Sequence, residues 1–439
     1  MISQDQLLNW IEKKTGFETY KGLEDRSLQM ILPFFKEYID AVHNLNIKIV
    51  TIGGTNGKGE TCYQISEMLT QAIPKISYTR FLSPHVHEIN ERISDGTNIT
   101  NEELFDLFLL LDEKTKMMNI HLSFFEFLFA CFLEYSLQKK PQVLILEVGV
   151  GGRLDATNLF DADIMAIISI ARDHQELLGS RLENILFEKC GIARSHKPLF
   201  TCFSSQYLKS MMNLWSREKN WNWIDLIDEG FVDVKDHFSI KNRKVAKTIL
   251  LELQKIIPFE IEEKKENSLS FFPGRGERKN IILNNDLYEL QFYGSHNVDG
   301  VRQLVAKMSL EPKLQFILMS FSKRSFSDIK SMIAQLFALF PLNPKLRIII
   351  TTFDGHKAWM PLQEELDWLK VCEEKFCQKI IFFHSWRSAE VMSKIEEWSR
   401  DLYPHSTKKN LLITGSYYFV GQVSHYYSGA LSFNHSNMS

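Results

Sequence analysis

The sequence predicts an α/β protein with two domains, the first a doubly wound parallel sheet around a glycine loop and the second a smaller, Rossmann-like α/β unit. Three observations support this prediction. An apolar, β-branched run at residues 47–52 ends in a glycine loop that leads into an amphipathic helix. Further strand-like runs alternate with helical patterns before and after a charged stretch. Finally, 439 residues exceed the size of one ordinary core.

The glycine loop has the features of a phosphate-binding P-loop. Glycines let backbone N–H groups face a polyphosphate, the start of the next helix adds its dipole, and Lys58 supplies a positive charge. A glycine loop at a strand-to-helix turn can also be only a tight connection. The spacing of Lys58 and Thr61 favours nucleotide binding. We therefore predict an ATP site at Gly54, Thr55, Asn56, Gly57, Lys58, Gly59, Glu60 and Thr61.

Glu60 departs from the usual pattern of such a loop. A hydroxyl side chain is expected directly after the lysine, but Gly59 and Glu60 follow Lys58 instead. A carboxylate beside a triphosphate is repulsive unless it turns away or meets a metal ion. We therefore expect Thr61, or residues elsewhere in the chain, to complete the shell of a magnesium ion.

Polar residues follow three further predicted strands. Ser83 lies in an irregular segment where Pro84 stops a strand, and Glu147 ends a continuous apolar run. An acid at that position is typical of a magnesium ligand or a water-orienting group, and an ion pair with Arg153 is the alternative. His174 follows another buried run. Because the carboxyl ends of parallel strands share one edge of a sheet, this edge is the expected site of chemistry.

Two helices of the first domain have recognisable starts. A capping box at residues 100–103 opens the first of them, and an apolar helix covers residues 123–135. Glu126, near the start of the apolar helix, either faces the helix dipole or belongs to a buried site, and its position alone does not decide between them.

The composition excludes several classes of protein. A net charge of −3 gives no electrostatic case for nucleic acid as a partner. The segment 1–16 has the pattern of an amphipathic helix rather than a signal peptide, and the apolar segment 122–133 is too short to span a bilayer. Six scattered cysteines without a secretory signal indicate reduced thiols. We therefore expect a cytoplasmic protein without a membrane partner.

The second domain follows a charged approach at residues 260–267, and we place the boundary between residues 270 and 271. Its predicted strands cover residues 287–292, 314–319, 346–351, 379–383 and 410–414. The cleft between two such domains is the default position for a ligand.

Short motifs in a fixed order carry a resemblance to a known family. They are residues 54–59, 82–85, 90–93, 125–126, 147–158, 173–174, 188–192, 273–275, 294–297 and 414–416. The chain resembles the dihydrofolate synthase/folylpolyglutamate synthase family of the Mur ligase superfamily over nearly its whole length. The resemblance implies a Mur-ligase-type central ATP-binding domain at residues 1–270 and a C-terminal glutamate-ligase domain at residues 271–439.

The resemblance implies an ATP-dependent amide ligation. The substrate carboxylate takes the γ-phosphoryl group to become an acyl phosphate, and the amino group of L-glutamate then attacks it. The substrate is dihydropteroate, a reduced folate, or both. ATP and Mg²⁺ are the implied cofactors, and the part played by a monovalent cation stays open. We expect a monomer with small-molecule partners.

The resemblance also implies roles for particular residues. Those of catalysis are Lys58, His174 and Lys189, and those of the metal site are Ser83, Glu147 and His174. Lys189 matches a carbamylated lysine of the family, and an unmodified lysine paired with Glu188 is the alternative. The further nucleotide contacts are Asn242, Arg275 and His296. The region that receives the pterin substrate contains Phe125, Arg153 and Asp155.

The sequence departs from the family pattern mainly in the second domain. Glu60 replaces a serine, Tyr293 an aspartate and Val298 a proline, while residues 322–324 and 356–358 replace segments of different charge. Two alternatives therefore stay open beside the folate ligase. One is a Mur-type ligase that acts on another carboxylate, and the other is a nucleotide-binding homologue that has lost ligase activity.

Overall fold

The computed structural model describes residues 2–16, 28–261, 272, 274–283, 286–311 and 313–435. The chain divides into two compact units, Met1–Ser270 and Phe271–Ser439. Of the predicted linker approach at residues 260–267, only Glu260 and Ile261 are among the described residues.

The first unit is built on a mostly parallel sheet. Its strands are β1 (Lys48–Gly53), β2 (Ala72–Ile73), β3 (Tyr78–Phe81), β4 (Ile93–Ser94), β5 (Val143–Glu147), β6 (Ile164–Ile167), β7 (Pro198–Thr201), β8 (Asn222–Asp225) and β9 (Glu260–Ile261). Within the described residues, a seven-stranded sheet has the order β4-β3-β5-β1-β6-β7-β8, and β2 pairs with β9 separately. All strands of the larger sheet are parallel except the edge strand β4. This order makes β1, which precedes the glycine loop, the central strand.

Several helices of the first unit begin at a residue whose side chain caps the first turn, as Ser3 and Ser205 do. The helices of this unit are α1 (Gln4–Thr15), α2 (Leu28–Asn44), α3 (Lys58–Leu69), α4 (Asn101–Met118), α5 (Phe124–Lys139), α6 (Gln175–Leu178), α7 (Leu182–Cys190), α8 (Gln206–Glu218) and α9 (Phe238–Leu253). The predicted capping box of α4 is confirmed, with Thr100 and Glu103 as its partners. Glu126 closes a capping box with Ser123, whose N–H donates to Glu126 Oε2 at 2.7 Å. Of the two alternatives for Glu126, the structure therefore shows the one in which its carboxylate lies at the N-terminus of the helix.

The core of the first unit contains a cluster of phenylalanine rings between α5 and the sheet. The Phe81 ring lies 5.3 Å from both Phe129 and Phe132, and Phe160 contacts Phe129 edge to face. Helix α5 is buried on most of its circumference because it packs against β3, α2 and α4. Burial of these rings stabilises the packing of α5 against the sheet, next to the strands β3 and β5 that lead to the site.

The second unit is a smaller α/β structure. Its elements are β10 (Arg275–Leu283), β11 (Asp286–Tyr293), α10 (Val298–Met308), β12 (Phe316–Ser320), α11 (Phe326–Leu336), β13 (Arg347–Thr351), α12 (Gln363–Lys375), β14 (Ile380–Phe383), α13 (Ala389–Leu402), β15 (Lys408–Gly415) and α14 (Tyr417–His435). Within the described residues, the six-stranded sheet has the order β10-β11-β15-β12-β13-β14, with β10 antiparallel at its edge. The five predicted strands are confirmed, and the predicted α/β fold class with them.

The described helices were compared with the requirements for a membrane span. Within the described ranges, no helix combines the length and apolar character that crossing a bilayer requires.

Candidate functional site

The glycine loop connects β1 to α3 and needs glycine at position 57. Gly57 is the N-cap of α3 and has a φ of 92°. A side-chain carbon at this position would lie 2.7 Å from Asn242 Oδ1 and 2.9 Å from Ile168. Both the left-handed backbone and the close neighbours therefore exclude a larger residue.

The loop is fastened to the segment that follows β6. Thr55 N–H donates to the Ser169 carbonyl at 2.8 Å, and Asn56 N–H donates to Ser169 Oγ at 2.9 Å. The Ser169 hydroxyl in turn donates to the Asn56 carbonyl at 2.8 Å. The N–H groups of Thr55 and Asn56 are thus engaged within the protein. The first N–H groups of a helix have no partner within that helix, so the start of α3 is suited to bind an anion.

Ser169 was missed in the sequence, where it is only a small polar residue after a buried run. We expect Ser169→Ala to weaken ADP binding several-fold and to lower the free energy of unfolding by about 1–2 kcal/mol, because two hydrogen bonds to Asn56 are lost. Titration with ADP and urea denaturation measure the two effects. Ser180→Ala, at an exposed serine, is the control. Unchanged ADP affinity would show that the loop keeps its shape without this serine.

Two lysines converge on the carbonyl of Gly54. Lys58 Nζ donates to it at 3.1 Å and to the Thr55 carbonyl at 3.3 Å, while Lys189 Nζ donates to the Gly54 carbonyl at 2.9 Å. The Lys189 side chain is buried, and this burial together with the charge of Lys58 lowers its pKa to about 7. The alternative pairing of Lys189 with Glu188 is wrong, since Glu188 bonds Arg153 instead.

Ser83 and Glu147 meet at the carboxyl ends of β3 and β5. Ser83 N–H donates to Glu147 Oε2 at 2.8 Å, and Glu147 is only 4% exposed. Glu147 pairs in register with Ile52 of β1, which places it beside the start of the glycine loop. The alternative ion pair of Glu147 with Arg153 is wrong, because Arg153 contacts Glu188 at 2.8 Å.

His174 lies near the two lysines. It is the N-cap of α6 with a left-handed φ of 49°. Burial lowers its pKa, and the charges of Lys189 and Lys58 lower it further against the opposing effect of Asp173. The neutral imidazole is the form that binds metals.

The donor set at this edge fits magnesium. A hydroxyl and a carboxylate are the hard oxygen ligands that Mg²⁺ takes, and its remaining positions usually hold water and phosphate oxygens. Among the described residues, no three His, Cys, Asp or Glu side chains form a complete metal-binding group. Thr61 donates its hydroxyl to the Gly57 carbonyl at 2.9 Å and is fully buried. The Thr61 proton is therefore donated within the protein, and the lone pairs of its oxygen are the part that would bind a metal ion.

The segment that carries Ser83 is held by two residues whose role the sequence did not show. Both carboxylate oxygens of Glu91 accept backbone N–H groups, from Val86 at 2.8 Å and from residues 87 and 88 at 2.9 and 3.0 Å. Arg92 is fully buried, and its Nε donates to His85 Nδ1 at 3.0 Å. These contacts fix the segment between β3 and β4.

Glu91→Gln replaces one acceptor oxygen by an amide that donates. We expect the magnesium concentration for half-maximal phosphate release to rise several-fold, because the segment around Ser83 loses part of its support. A magnesium titration measures the change, and Glu102→Gln, at an exposed position of α4, is the control. An unchanged magnesium requirement would separate Glu91 from the metal site.

The three residues predicted for the substrate separate into two places. Phe125 and Asp155 both flank Gly149, where a side-chain carbon would lie 2.7 Å from the Phe125 ring and 3.1 Å from Asp155 Oδ2. Arg153 instead points to Glu188 and lies over the Phe187 ring. Asp155 is buried and accepts the N–H groups of Gly149, Val150 and Thr157 and the Thr157 hydroxyl. Burial raises the pKa of Asp155 to about 6 although these hydrogen bonds favour its charged form.

Glu60 turns away from the loop. Its Oε2 accepts a hydrogen bond from Asn242 Nδ2 at 2.7 Å, and both residues are buried. Asn242 lies on α9, which packs against α3. The predicted adenine contact and the unusual loop residue are therefore direct neighbours.

In the second unit, Arg275 and His296 meet around one tyrosine. The Arg275 guanidinium lies 4.8 Å from the centre of the Tyr417 ring, and the His296 ring lies 4.9 Å from the same ring. Any side chain at Gly294 would collide with Tyr417. Tyr417 was not predicted, although it directly follows the motif at residues 414–416.

The fold and the site define a two-unit α/β protein whose first unit holds a P-loop beside a serine–carboxylate pair. No family model matches the chain. A dihydrofolate synthase/folylpolyglutamate synthase from Haemophilus influenzae is 40% identical to it over 169 residues, which are 37% of this chain and 36% of the relative. The matched segment therefore spans about a third of that relative's length.

Solved structures extend the likeness to nearly the whole chain. The bifunctional folylpolyglutamate synthase/dihydrofolate synthase of Yersinia pestis, complexed with AMPPNP and Mn ion, has a TM-score of 0.71 at 22% identity and covers 97% of this chain and 98% of its own. Escherichia coli FolC, in complex with DHPP and ADP, has a TM-score of 0.71 at 21% identity and 98% coverage of both chains. The resemblance inferred from the sequence is confirmed, and at these identities the structures show the fold.

Proposed function

We propose that the chain is an ATP-dependent ligase that joins L-glutamate to dihydropteroate, to a reduced folate, or to both. The observation that carries this proposal is the convergence of Lys58 and Lys189 on the glycine loop, next to the Ser83–Glu147 pair. The names of the similar proteins support the reaction class. We assign residues 1–270 to ATP binding and residues 271–439 to glutamate ligation.

The proposed ligation requires that the substrate carboxylate be converted into an electrophile. Its oxygen attacks the γ-phosphorus of ATP, ADP leaves, and an acyl phosphate forms. The glutamate amine then attacks the acyl carbon, a proton is lost, and phosphate leaves with the bond to carbon broken. Phosphoryl transfer depends mainly on positioning and charge neutralisation. Lys58 and the N–H groups at the start of α3 supply both to the phosphate oxygens.

A magnesium ion would be held by Ser83 and Glu147, with His174 nearby, and would neutralise charge on the phosphates. Lys189 is proposed as the carbamylated lysine. A buried amine with a lowered pKa is partly neutral near pH 7, and the neutral amine is the form that reacts with carbon dioxide. Arg275 and His296, which flank Tyr417, are also proposed as nucleotide contacts, because the resemblance to the family implies them.

Phosphate release tests the proposal. Purified protein with Mg-ATP and L-glutamate is compared with dihydropteroate, with tetrahydrofolate and with no acceptor. Release that needs both glutamate and a pterin acceptor is the expected result, and the acceptor used distinguishes the two reactions. ADP binding without release under any condition would favour a homologue that has lost ligase activity. Glutamate-dependent release with a different carboxylate would point to another Mur-type substrate.

We also propose a cytoplasmic monomer without a nucleic-acid partner. The net charge of −3 provides no attraction to phosphate backbones, and all six cysteines are free thiols. Light scattering coupled to size exclusion tests the monomer, for which the expected mass is 51.2 kDa.

A further inference from the structure

We propose that Arg194 is a positioning residue for the ligation, because its guanidinium joins the segment at residues 153–160 to the end of α7. The segment contains Asp155, which the family resemblance places in the region of the pterin substrate. Helix α7 contains Lys189, which contacts the glycine loop. Arg194 therefore aligns the acceptor with the phosphates. The inference rests on the proposed function and deepens it, since it concerns how the two substrates are held against each other.

The 153–160 segment meets α7 at its first residue, where the two backbones touch. Arg153 N–H donates to the Glu188 carbonyl at 2.7 Å. A side-chain carbon on Gly191 would lie 2.3 Å from Arg153 Cα, and one on Gly152 would lie 2.9 Å from the Glu188 carbonyl oxygen. These contacts hold the beginning of the segment against the helix, and its far end is held separately.

Arg194 holds that far end. Its Nη2 shares its N–H groups among the Asn158 carbonyl at 3.0 Å, Asn158 Oδ1 at 2.9 Å and the Phe160 carbonyl at 3.0 Å. Its Nη1 donates to the Ile192 carbonyl at 2.9 Å, and the carbonyls on either side of Ile192 lie at 3.4 and 3.3 Å. One planar guanidinium therefore spans the end of the segment and the residues directly after α7.

Asn158 connects Arg194 with the rest of the segment. Its Nδ2 donates to the Arg153 carbonyl at 3.0 Å, and its N–H donates to the Asp155 carbonyl at 2.9 Å. On the other side of Arg194, Lys189 lies in the last turn of α7 and donates to the Gly54 carbonyl at 2.9 Å. Hydrogen bonds thus link the backbone of Asp155 to the glycine loop through Arg194 and α7.

The type of contact explains why this position needs an arginine. Asp161, the ionic partner of Arg194 Nε at 3.1 Å, is 74% exposed, and such ion pairs contribute little to stability. The other contacts go to oxygens of two separate segments, which the single nitrogen of a lysine cannot bridge. A shift of about 1 Å in the reacting groups can lower a rate about 100-fold. The contribution of Arg194 should therefore appear in the rate at which the acceptor carboxylate attacks ATP.

Arg194→Lys and Arg194→Met test the inference, because the first keeps the charge without the planar fork and the second keeps only an unbranched chain. The acceptor is dihydropteroate or tetrahydrofolate, whichever the wild-type protein uses. We expect kcat for phosphate release to fall about 10- to 100-fold in both variants. The dissociation constant of ADP, measured by calorimetry, should stay within about twofold of the wild-type value, since Lys58 and the glycine loop are unchanged. Arg217→Lys and Arg217→Met, at an exposed arginine of α8, are the controls and should keep the wild-type kcat.

The ADP titration also separates positioning from support of the fold. An unfolded fraction lowers the number of ADP sites and the apparent kcat by the same factor. We therefore expect the loss to remain when kcat is expressed per ADP site. Urea denaturation shows independently whether each variant is folded under the conditions of the assay.

Three outcomes overturn the inference. The kcat per ADP site could match the wild-type value in both variants, Arg194→Lys alone could restore it, or ADP binding could weaken by the same factor as turnover. In each of these cases turnover by the wild-type protein still supports the proposed function. Absence of phosphate release by the wild-type protein with any acceptor would instead remove the proposed function, and the inference with it.

Discussion

Lys58→Ala should lower the rate of acceptor-dependent phosphate release about 100- to 1,000-fold, the range seen when one group that stabilises transition-state charge is removed. Lys58 is the cation at the start of α3, and its ammonium group already lies at the loop, where it donates hydrogen bonds to the Gly54 and Thr55 carbonyls. Because phosphoryl transfer relies on charge neutralisation, the loss should appear in kcat as well as in KM.

Folding of the Lys58 variant should change little. The side chain is only half-buried and its partners are backbone carbonyls, so we expect the free energy of unfolding to fall by no more than about 1 kcal/mol. Lys255→Ala, which removes an exposed lysine paired with Glu252, controls for the loss of one positive charge. A Lys58 variant with normal turnover would show that the loop does not bind the reacting phosphates.

Local patterns were sufficient to predict the glycine loop and the strand ends around it. A β-branched run followed by glycines and an amphipathic stretch has few other structural solutions, and parallel strands must share one carboxyl edge. The strands β7 and β10 were missed for physical reasons. Strand β7 has four residues and begins with proline, while β10 is a polar edge strand without the apolar alternation that reveals a buried face.

Local sequence patterns could not predict which partners the site residues contact, because those partners lie far away in the sequence. Glu60 bonds a residue 182 positions later, and the loop amide of Asn56 bonds Ser169, 113 positions away. Lys189 and Glu188 are neighbours in sequence, yet successive residues of a helix point in different directions. Glu188 therefore reaches Arg153 while Lys189 reaches Gly54. A sequence pattern identifies such residues, but the fold decides which of them meet.

Asp155 offers the second large effect, because it organises the segment between β5 and the residues near Asn158. Its two oxygens accept the N–H groups of Gly149 and Val150 at 3.0 and 3.3 Å, and the N–H and hydroxyl of Thr157 at 3.0 and 2.6 Å. In Asp155→Ala the buried N–H and hydroxyl of Thr157 and the partly buried N–H groups of Gly149 and Val150 lose their partner. We expect the free energy of unfolding to fall by about 3 kcal/mol, since each unpaired buried donor costs about 1–3 kcal/mol and the losses are not additive.

A comparison of Asp155→Ala with Asp155→Asn decides whether Asp155 acts on the substrate directly or through the segment it holds. Asp155→Asn keeps one acceptor oxygen and should retain part of the stability. Asp163→Asn is the control, because this carboxylate also accepts a backbone N–H, that of Ile49, but at the start of β1. If Asp155 only organises the backbone, the free energy of unfolding measured in urea and the pterin-dependent turnover should fall together from the wild-type protein to Asp155→Asn and to Asp155→Ala. If Asp155→Asn is as stable as the wild-type protein but has lost the pterin acceptor, the carboxylate contacts the substrate itself. Four hydrogen bonds to its own segment favour the first result.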